Sequence, residues 1–145
     1  MPDARLMVLD ANILIRAVLG KRVRSILVQY GGRVRFVAPD AAFSEAEEHL
    51  PTILGKGRAP VAEGMKVLDA VGKVVESIGR DAYSVFEIAA KRRLAKRDED
   101  DWPILATAMV FDCPIWTEDT DFFGAGVATW TTDRVEMYLE NVAND

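Results

Sequence analysis

Apolar positions recur along the chain with two periods. Leu6–Leu9 is a short unbroken apolar run, the mark of a buried strand, and Asp10 ends it. Ile13, Leu14, Ala17 and Val18 then fall at helical spacing as far as Gly20. Val23, Ile26, Leu27 and Tyr30 do so again until Gly31-Gly32 stops the pattern. Arg33–Val37 alternates with period two and is rich in β-branched residues, which predicts a second strand. Pro39-Asp40 opens a helix with Phe43, Ala46, Leu50, Ile53 and Leu54 on its apolar side, and Pro51 is expected to kink or divide it. Gly55–Pro60 reads as a loop, Val61–Val71 as a helix, and Val74–Ile78 as a third strand closed by Gly79. Asp81–Arg97 reads as one long helix whose apolar side is Tyr83, Phe86, Ile88 and Leu94. Its last turns carry Lys91, Arg92, Arg93, Lys96 and Arg97, where cations favour the helix dipole. Ile104, Leu105, Ala108, Met109 and Phe111 mark a further helix, and Pro114–Thr117 the strand after it. Val127–Trp130 is the final strand, and Asp133–Glu140 the final helix with Asp133 as its N-cap.

Strands alternating with helices predict an α/β fold: three layers, α/β/α, around a mainly parallel sheet of four to five strands. Sites in such sheets form at the carboxyl ends of the strands. Acids stand at those places. Asp98, Glu99, Asp100 and Asp101 precede the Ile104 helix, and Glu118, Asp119 and Asp121 follow the Pro114–Thr117 strand. Packing that helix antiparallel to that strand brings the two groups together, and Asp10 joins them from the end of the first strand. Two carboxylates about 5 Å apart repel by roughly 3 kcal/mol at an effective dielectric of about 20, so such a cluster calls for a positive partner.

Composition narrows the chemistry. With 145 residues the chain is expected to be a single domain, 1–145, large enough for a true core. No apolar run approaches the roughly 20 residues of a membrane helix, and MPDARLMVLD lacks a signal-peptide layout, so a cytoplasmic protein is expected. The one cysteine, Cys113, excludes an internal disulfide and a multi-cysteine zinc site, and reads as a buried filler. The one histidine, His49, lies among glutamates and reads as exposed. No phosphate-cradling glycine motif is present. An enzyme of this composition works through carboxylates.

Each acid also has an ordinary reading. Asp10 and Asp101 suit helix N-caps, Asp101 before Trp102-Pro103 especially. Asp98 and Asp100 suit a solvated loop, and Glu118, Asp119 and Asp121 suit turns. The conjunction is what is specific: a strand-end Asp, a helix-start Asp, and a strand-end Asp-x-Asp. A further acid should come from the Asp40 helix, through Glu45, Glu47 or Glu48. At about 100° per residue, Glu47 lies nearest the apolar side; periodicity does not decide which of the three points across the sheet edge.

Three segments, VLDANILIRAVLG (Val8–Gly20), SEAEEHL (Ser44–Leu50) and DWPILATAMVFDCPIWTEDTDFFG (Asp101–Gly124), together resemble the PIN-domain nucleases, a group that includes the VapC toxins of bacterial toxin–antitoxin pairs. The resemblance implies a metal-dependent endoribonuclease that hydrolyses RNA phosphodiester bonds. It matches Asp10, Glu45, Asp101 and Asp119 to the family's four catalytic, metal-holding acids, with Asp121 as an auxiliary ligand. Asn12 and Thr117 match the polar residues that accompany them, and Asp98 is an extra acid beside the third position. The cofactor implied is Mg²⁺ or Mn²⁺, bound through hard oxygen ligands. The partners implied are an RNA substrate, a small antitoxin and a second copy in a homodimer.

A net charge of −5 weighs against nucleic acid binding over the whole surface, but the basic residues cluster. Lys21, Arg22 and Arg24 follow the first helix. Arg92, Arg93, Lys96 and Arg97, with Lys91, precede the acidic knot, either as a groove for the nucleic-acid backbone or as a solvated face that balances the acids. Two rivals stand beside the nuclease. A PIN-like module that binds RNA or protein without cutting would have lost one of the four acids, and none is missing. A phosphatase with an aspartyl nucleophile resembles D-x-D at the first strand, and here the second position is Asn12.

Overall fold

The computed structural model describes residues 5–56 and 60–143. Its five strands are β1 (Arg5–Leu9), β2 (Val34–Pro39), β3 (Val75–Ile78), β4 (Ile115–Trp116) and β5 (Thr129–Trp130). They form one sheet in the order β3-β2-β1-β4-β5, and every neighbouring pair is parallel. Helices flank it, giving the α/β/α layering expected, with the sheet wholly rather than mainly parallel. β1 is the central strand. Its Met7, Val8 and Leu9 have no exposed surface, which is why they form an unbroken apolar run: a strand covered on both faces has no polar side. β4 and β5 are shorter than the spans expected, but ladder bonds reach past them, from Val8 N to Pro114 O (3.0 Å) and from Thr117 N to Trp130 O (3.0 Å).

The helices are α1 (Ala11–Leu19), α2 (Lys21–Tyr30), α3 (Asp40–Lys56), α4 (Val61–Val71), α5 (Arg80–Tyr83), α6 (Glu87–Arg93), α7 (Trp102–Phe111) and α8 (Val135–Ala143). α1, α3 and α4 pack against one another, and α5 and α6 pack on α7. α7 is apolar all round and buried from Trp102 to Ala108, so it sits inside the molecule rather than on it. Its one polar buried side chain, Thr107, satisfies itself by donating to the carbonyl of Pro103 (2.7 Å). The helix ends on Asp112 in the left-handed conformation (φ 49°), which turns the chain sharply into β4.

Three expectations change. Pro51 does not divide α3: it lies on the exposed side, where the carbonyl it leaves unbonded can turn to water. The long helix over Asp81–Arg97 is broken into α5, a 3-10 turn at Ser84–Phe86, and α6. The break lets Tyr83 bury itself, donate its hydroxyl to Asp40 Oδ1 (2.5 Å) and pack on Trp102 at 5.5 Å between ring centroids. It also shifts the apolar register, so Ala90 is buried and Ile88, expected inside, is exposed. Asp133 does not cap α8; the Val135 amide donates to the carbonyl of Thr131 (2.8 Å), and Asp133 Oδ1 accepts from the Thr131 hydroxyl. The expected loop at 55–60 is described only at its ends: Gly55 and Lys56 finish α3, and 57–59 lie outside the described residues.

Candidate active site

Because every strand runs the same way, the residues after β1, β2, β3 and β4 emerge on one edge of the sheet: Asp10, Asp40, Gly79-Arg80 and Thr117. Asp10 is the N-cap of α1, its Oδ1 accepting from the Ile13 amide at 3.0 Å. Its other oxygen accepts from the Thr117 hydroxyl. Asp10 is only 7% exposed, and burial pushes its pKa up to about 6 against the opposing pull of those two bonds. The charges of Asp119 and Glu45 push it the same way as burial does.

Thr117 is buried and works in both directions. Besides donating to Asp10, its oxygen accepts from the Asp119 amide at 2.9 Å. Asp119 Oδ1 in turn accepts from the Asp121 amide at 2.8 Å. Asp10, Thr117, Asp119 and Asp121 are thereby one hydrogen-bonded chain.

The other side of the cluster is built from the turn before α7. Asp98 caps a 3-10 turn over Glu99–Asp101, its Oδ1 accepting from the Asp100 amide at 3.0 Å. Asp101 occupies the N-cap position of α7 yet makes no cap hydrogen bond. Its half-buried carboxyl is pushed up to about 7, first by burial and then by Asp98, Asp119, Glu45 and Asp10 in that order. Asp101 thus stands in the field of those four acids. Oxygens of Asp98, Asp101 and Asp121 lie within 4.8 Å of one another.

A cavity of about 480 Å³ opens over these groups, lined by Asp10, Asn12, Glu45, Asp98, Asp101 and Asp119 among others. A second, of about 560 Å³, shares Glu45, Asp98, Asp101 and Ile104 with it, so the two form one trough with the acids along its floor. Glu45 lines both halves, Glu48 only the second, and Glu47, favoured by periodicity, lines neither. The reason is geometric: the trough runs along the flank of α3 rather than under its apolar centre. His49, read from the sequence only as exposed, is exposed and lines the first cavity one helical turn beyond Glu45, with Thr52 and Ile53. Its i, i+4 spacing from Glu45 was the available signal.

Other acids and cations have different tasks. Glu118 turns away to β5, accepting from the Thr132 amide (2.8 Å) and hydroxyl (3.2 Å). Arg97 donates to the carbonyls of Asp121 (2.9 Å) and Phe123, and Arg93 to that of Ala125 (3.1 Å), so both guanidiniums hold the loop after β4. Arg92 and Lys96 are exposed. Cys113 is half-buried, and burial pushes its thiol up to about 12, which makes it inert at neutral pH. Among the described residues no Lys or Arg forms an ion pair with Asp10, Glu45, Asp98, Asp101, Asp119 or Asp121.

A wholly parallel α/β sheet with Asp10, Glu45, Asp98, Asp101, Asp119 and Asp121 gathered at its carboxyl edge, none of them ion-paired to a Lys or Arg of the described residues, makes this an α/β protein with an acidic cleft. The particular family follows from comparison: residues 8–140 match the family model described as PIN domain, and the chain belongs to the PIN-domain family. A comparison with curated proteins gives no match. Among solved structures, the fold is similar to VapBC2 from Rickettsia felis bound to a DNA fragment from its promoter (TM-score 0.67, 14% identity, 87% of this chain and 98% of that one). It is also similar to PAE2754 from Pyrobaculum aerophilum (0.70, 16%, 98% and 92%) and to a toxin–antitoxin complex from Klebsiella pneumoniae (0.62, 19%, 87% and 97%). No helix among the described residues is long and apolar enough to cross a membrane.

Proposed function

We propose that the protein is a single PIN domain acting as a Mg²⁺- or Mn²⁺-dependent endoribonuclease, the toxin of a cytoplasmic toxin–antitoxin pair. The observation that carries the reading is the group Asp10, Glu45, Asp98, Asp101 and Asp119 lining one trough, with Asp121 close to Asp98 and Asp101, and among the described residues no Lys or Arg ion-paired to them. The donor set fits a hard divalent cation: every candidate ligand is a carboxylate oxygen, three of them come within 4.8 Å of one another, and the mutual repulsion recorded at Asp101 is what a bound cation relieves. Asp10, Glu45, Asp101 and Asp119 would hold it, with Asp121 and Asp98 beside them. When bound it supplies an acidified water and charge neutralisation at a phosphate.

The chain's own residues do the positioning. Thr117 fixes the rotamers of Asp10 and the Asp119 turn together, so two ligands are set by one buried hydroxyl. Asn12 brings an amide to the trough wall, where it can donate to a substrate oxygen. Two adjoining open cavities suit an extended single strand laid over the acids. Arg92 and Lys96, which are exposed and lie shortly before Asp98 in the chain, suit contacts to its backbone. The toxin role and the antitoxin rest on the family and on the Rickettsia VapBC2 and Klebsiella toxin–antitoxin relatives; the homodimer rests on the family resemblance alone.

The test is cleavage of single-stranded RNA by the purified protein with Mg²⁺ or Mn²⁺. Cleavage should need the metal, and Asp10→Asn and Asp119→Asn should each lower the rate a hundredfold or more. No cleavage across varied RNAs, or full activity in both variants, would falsify the reading.

A further inference from the structure

The guanidiniums of Arg93 and Arg97 differ from ordinary surface cations. Arg97 grips two backbone carbonyls, of Asp121 and Phe123, while Arg93 takes that of Ala125. The loop they hold contains Gly124 at φ 79° and Gly126 at φ 90°, backbone that L side chains rarely adopt. A Cβ at Gly124 would lie 3.3 Å from Arg97 Nη2, and one at Gly126 would lie 2.8 Å from Arg93 Nη1. The loop is shaped to admit the two side chains.

Arg97 is also tied at its own end. Its amide donates to the carbonyl of Leu94 (2.8 Å), whose side chain is fully buried, and the next residue is Asp98. One residue therefore joins the Asp98–Asp101 turn to the Asp119–Asp121 turn, 24 positions apart in sequence between Arg97 and Asp121. We propose that Arg97 is a positioning residue that holds the Asp119–Asp121 turn against the Asp98–Asp101 turn, setting the spacing of the carboxylates across the trough. Its link to catalysis rests on the nuclease reading above; its link to the loop does not. Both bonds leave one nitrogen, Nη1, held in the plane of a rigid guanidinium; the shorter, freely rotating ammonium of a lysine does not place its donors there.

The experiment compares Arg97→Ala, Arg97→Lys and, as a charge-matched control, Lys96→Ala in the full chain. Amide hydrogen exchange of the metal-free protein should quicken at Asp121, Phe123 and Ala125 in Arg97→Ala and stay unchanged in Lys96→Ala. Mn²⁺ affinity by calorimetry should fall about 10- to 100-fold, the usual effect of losing a residue that orients a ligand. kcat should fall with KM and the salt dependence of RNA binding retained, and Arg97→Lys should not restore either property. Unchanged loop exchange overturns the proposal, and so does full rescue by lysine. A raised KM with a salt slope reduced by about one charge, at unaltered Mn²⁺ affinity, overturns it in favour of an RNA contact. Quickened exchange in a protein whose wild type neither binds Mn²⁺ nor cuts RNA leaves the clamp standing and removes the nuclease.

Discussion

The acid cluster has two halves that are built differently. Asp10, buried, and Asp119, half-buried, belong to a hydrogen-bonded half in which each carboxylate also does structural work: Asp10 caps α1 and receives Thr117, and Asp119 closes the turn to Asp121. Asp101, also half-buried, and Glu45 belong to a half whose carboxylates make no such bonds. Asp101 stands where a helix cap should be and makes no cap bond, and Glu45 is exposed on the flank of α3. Both Asp10 and Asp101 have raised pKa values, and burial is the first cause in each. The hydrogen bonds of Asp10 counter that push, while Asp101 receives only further negative charge. A carboxylate already serving the fold is held in place whether or not a ligand is present. Under the proposed nuclease reading, one serving no fold contact is left for a ligand from outside.

The sharpest way to break this comparison is by pH. Free aspartate titrates near 3.8, whereas Asp10 and Asp101 in the folded protein titrate near 6 and 7. The folded state therefore holds those protons more tightly than the unfolded chain does. Their contribution favours folding below about pH 4 and is lost as pH rises through about 7. Thermal melts of the metal-free protein should show stability from these groups falling over that window, and Asp101→Asn should flatten the fall. Mn²⁺ at about 100 times its Kd should raise stability at pH 8 by about 2.7 kcal/mol. A metal-free protein that gains stability across the same window, or no response to Asp101→Asn, removes the electrostatic account.

A smaller effect separates the halves structurally. At pH 5, Asp10→Ala should lower unfolding stability by about 1–3 kcal/mol, since it strips the cap of α1 and orphans the buried Thr117 hydroxyl. Asp101→Ala should change it by less than about 0.5 kcal/mol. Denaturant titration of the two variants side by side decides this, and equal losses mean the halves are not distinct. Smallest is the contrast of the neighbours Glu118 and Asp119. Glu118→Gln keeps an acceptor for Thr132 and should leave RNA cleavage within about twofold while costing at most about 1 kcal/mol of stability. A large loss of cleavage in that variant would place Glu118 among the ligands.

Much of the fold was legible along the chain. The apolar run at Leu6–Leu9, the helical spacing over 13–18 and 23–30, and the pattern over Val61–Val71 correspond to β1, α1, α2 and α4, because periodicity is a local consequence of which side of an element is covered. It failed over 81–97, where burying Tyr83 against Asp40 and Trp102 outweighed the continuity of one helix. The acid segments were equally legible as places of chemistry. Their members were less so: periodicity favoured Glu47 where the family resemblance pointed to Glu45, Asp98 was undecided, and Arg93 and Arg97 were open between a nucleic-acid groove and a solvated face, with no sign that they brace a loop.

The sequence by itself determined that the first strand would be buried, that the sheet would be mainly parallel and that carboxylates would crowd one edge of it. All three follow from the order of apolar and acidic residues. Only the tertiary structure decided which carboxylates meet, which are anchored and which are left open. Asp10 and Thr117 are 107 positions apart, and their hydrogen bond, the burial around it and the field of Asp119 exist only once the strands lie side by side. Burial and charge depend on what surrounds a group in space, and no local pattern carries that.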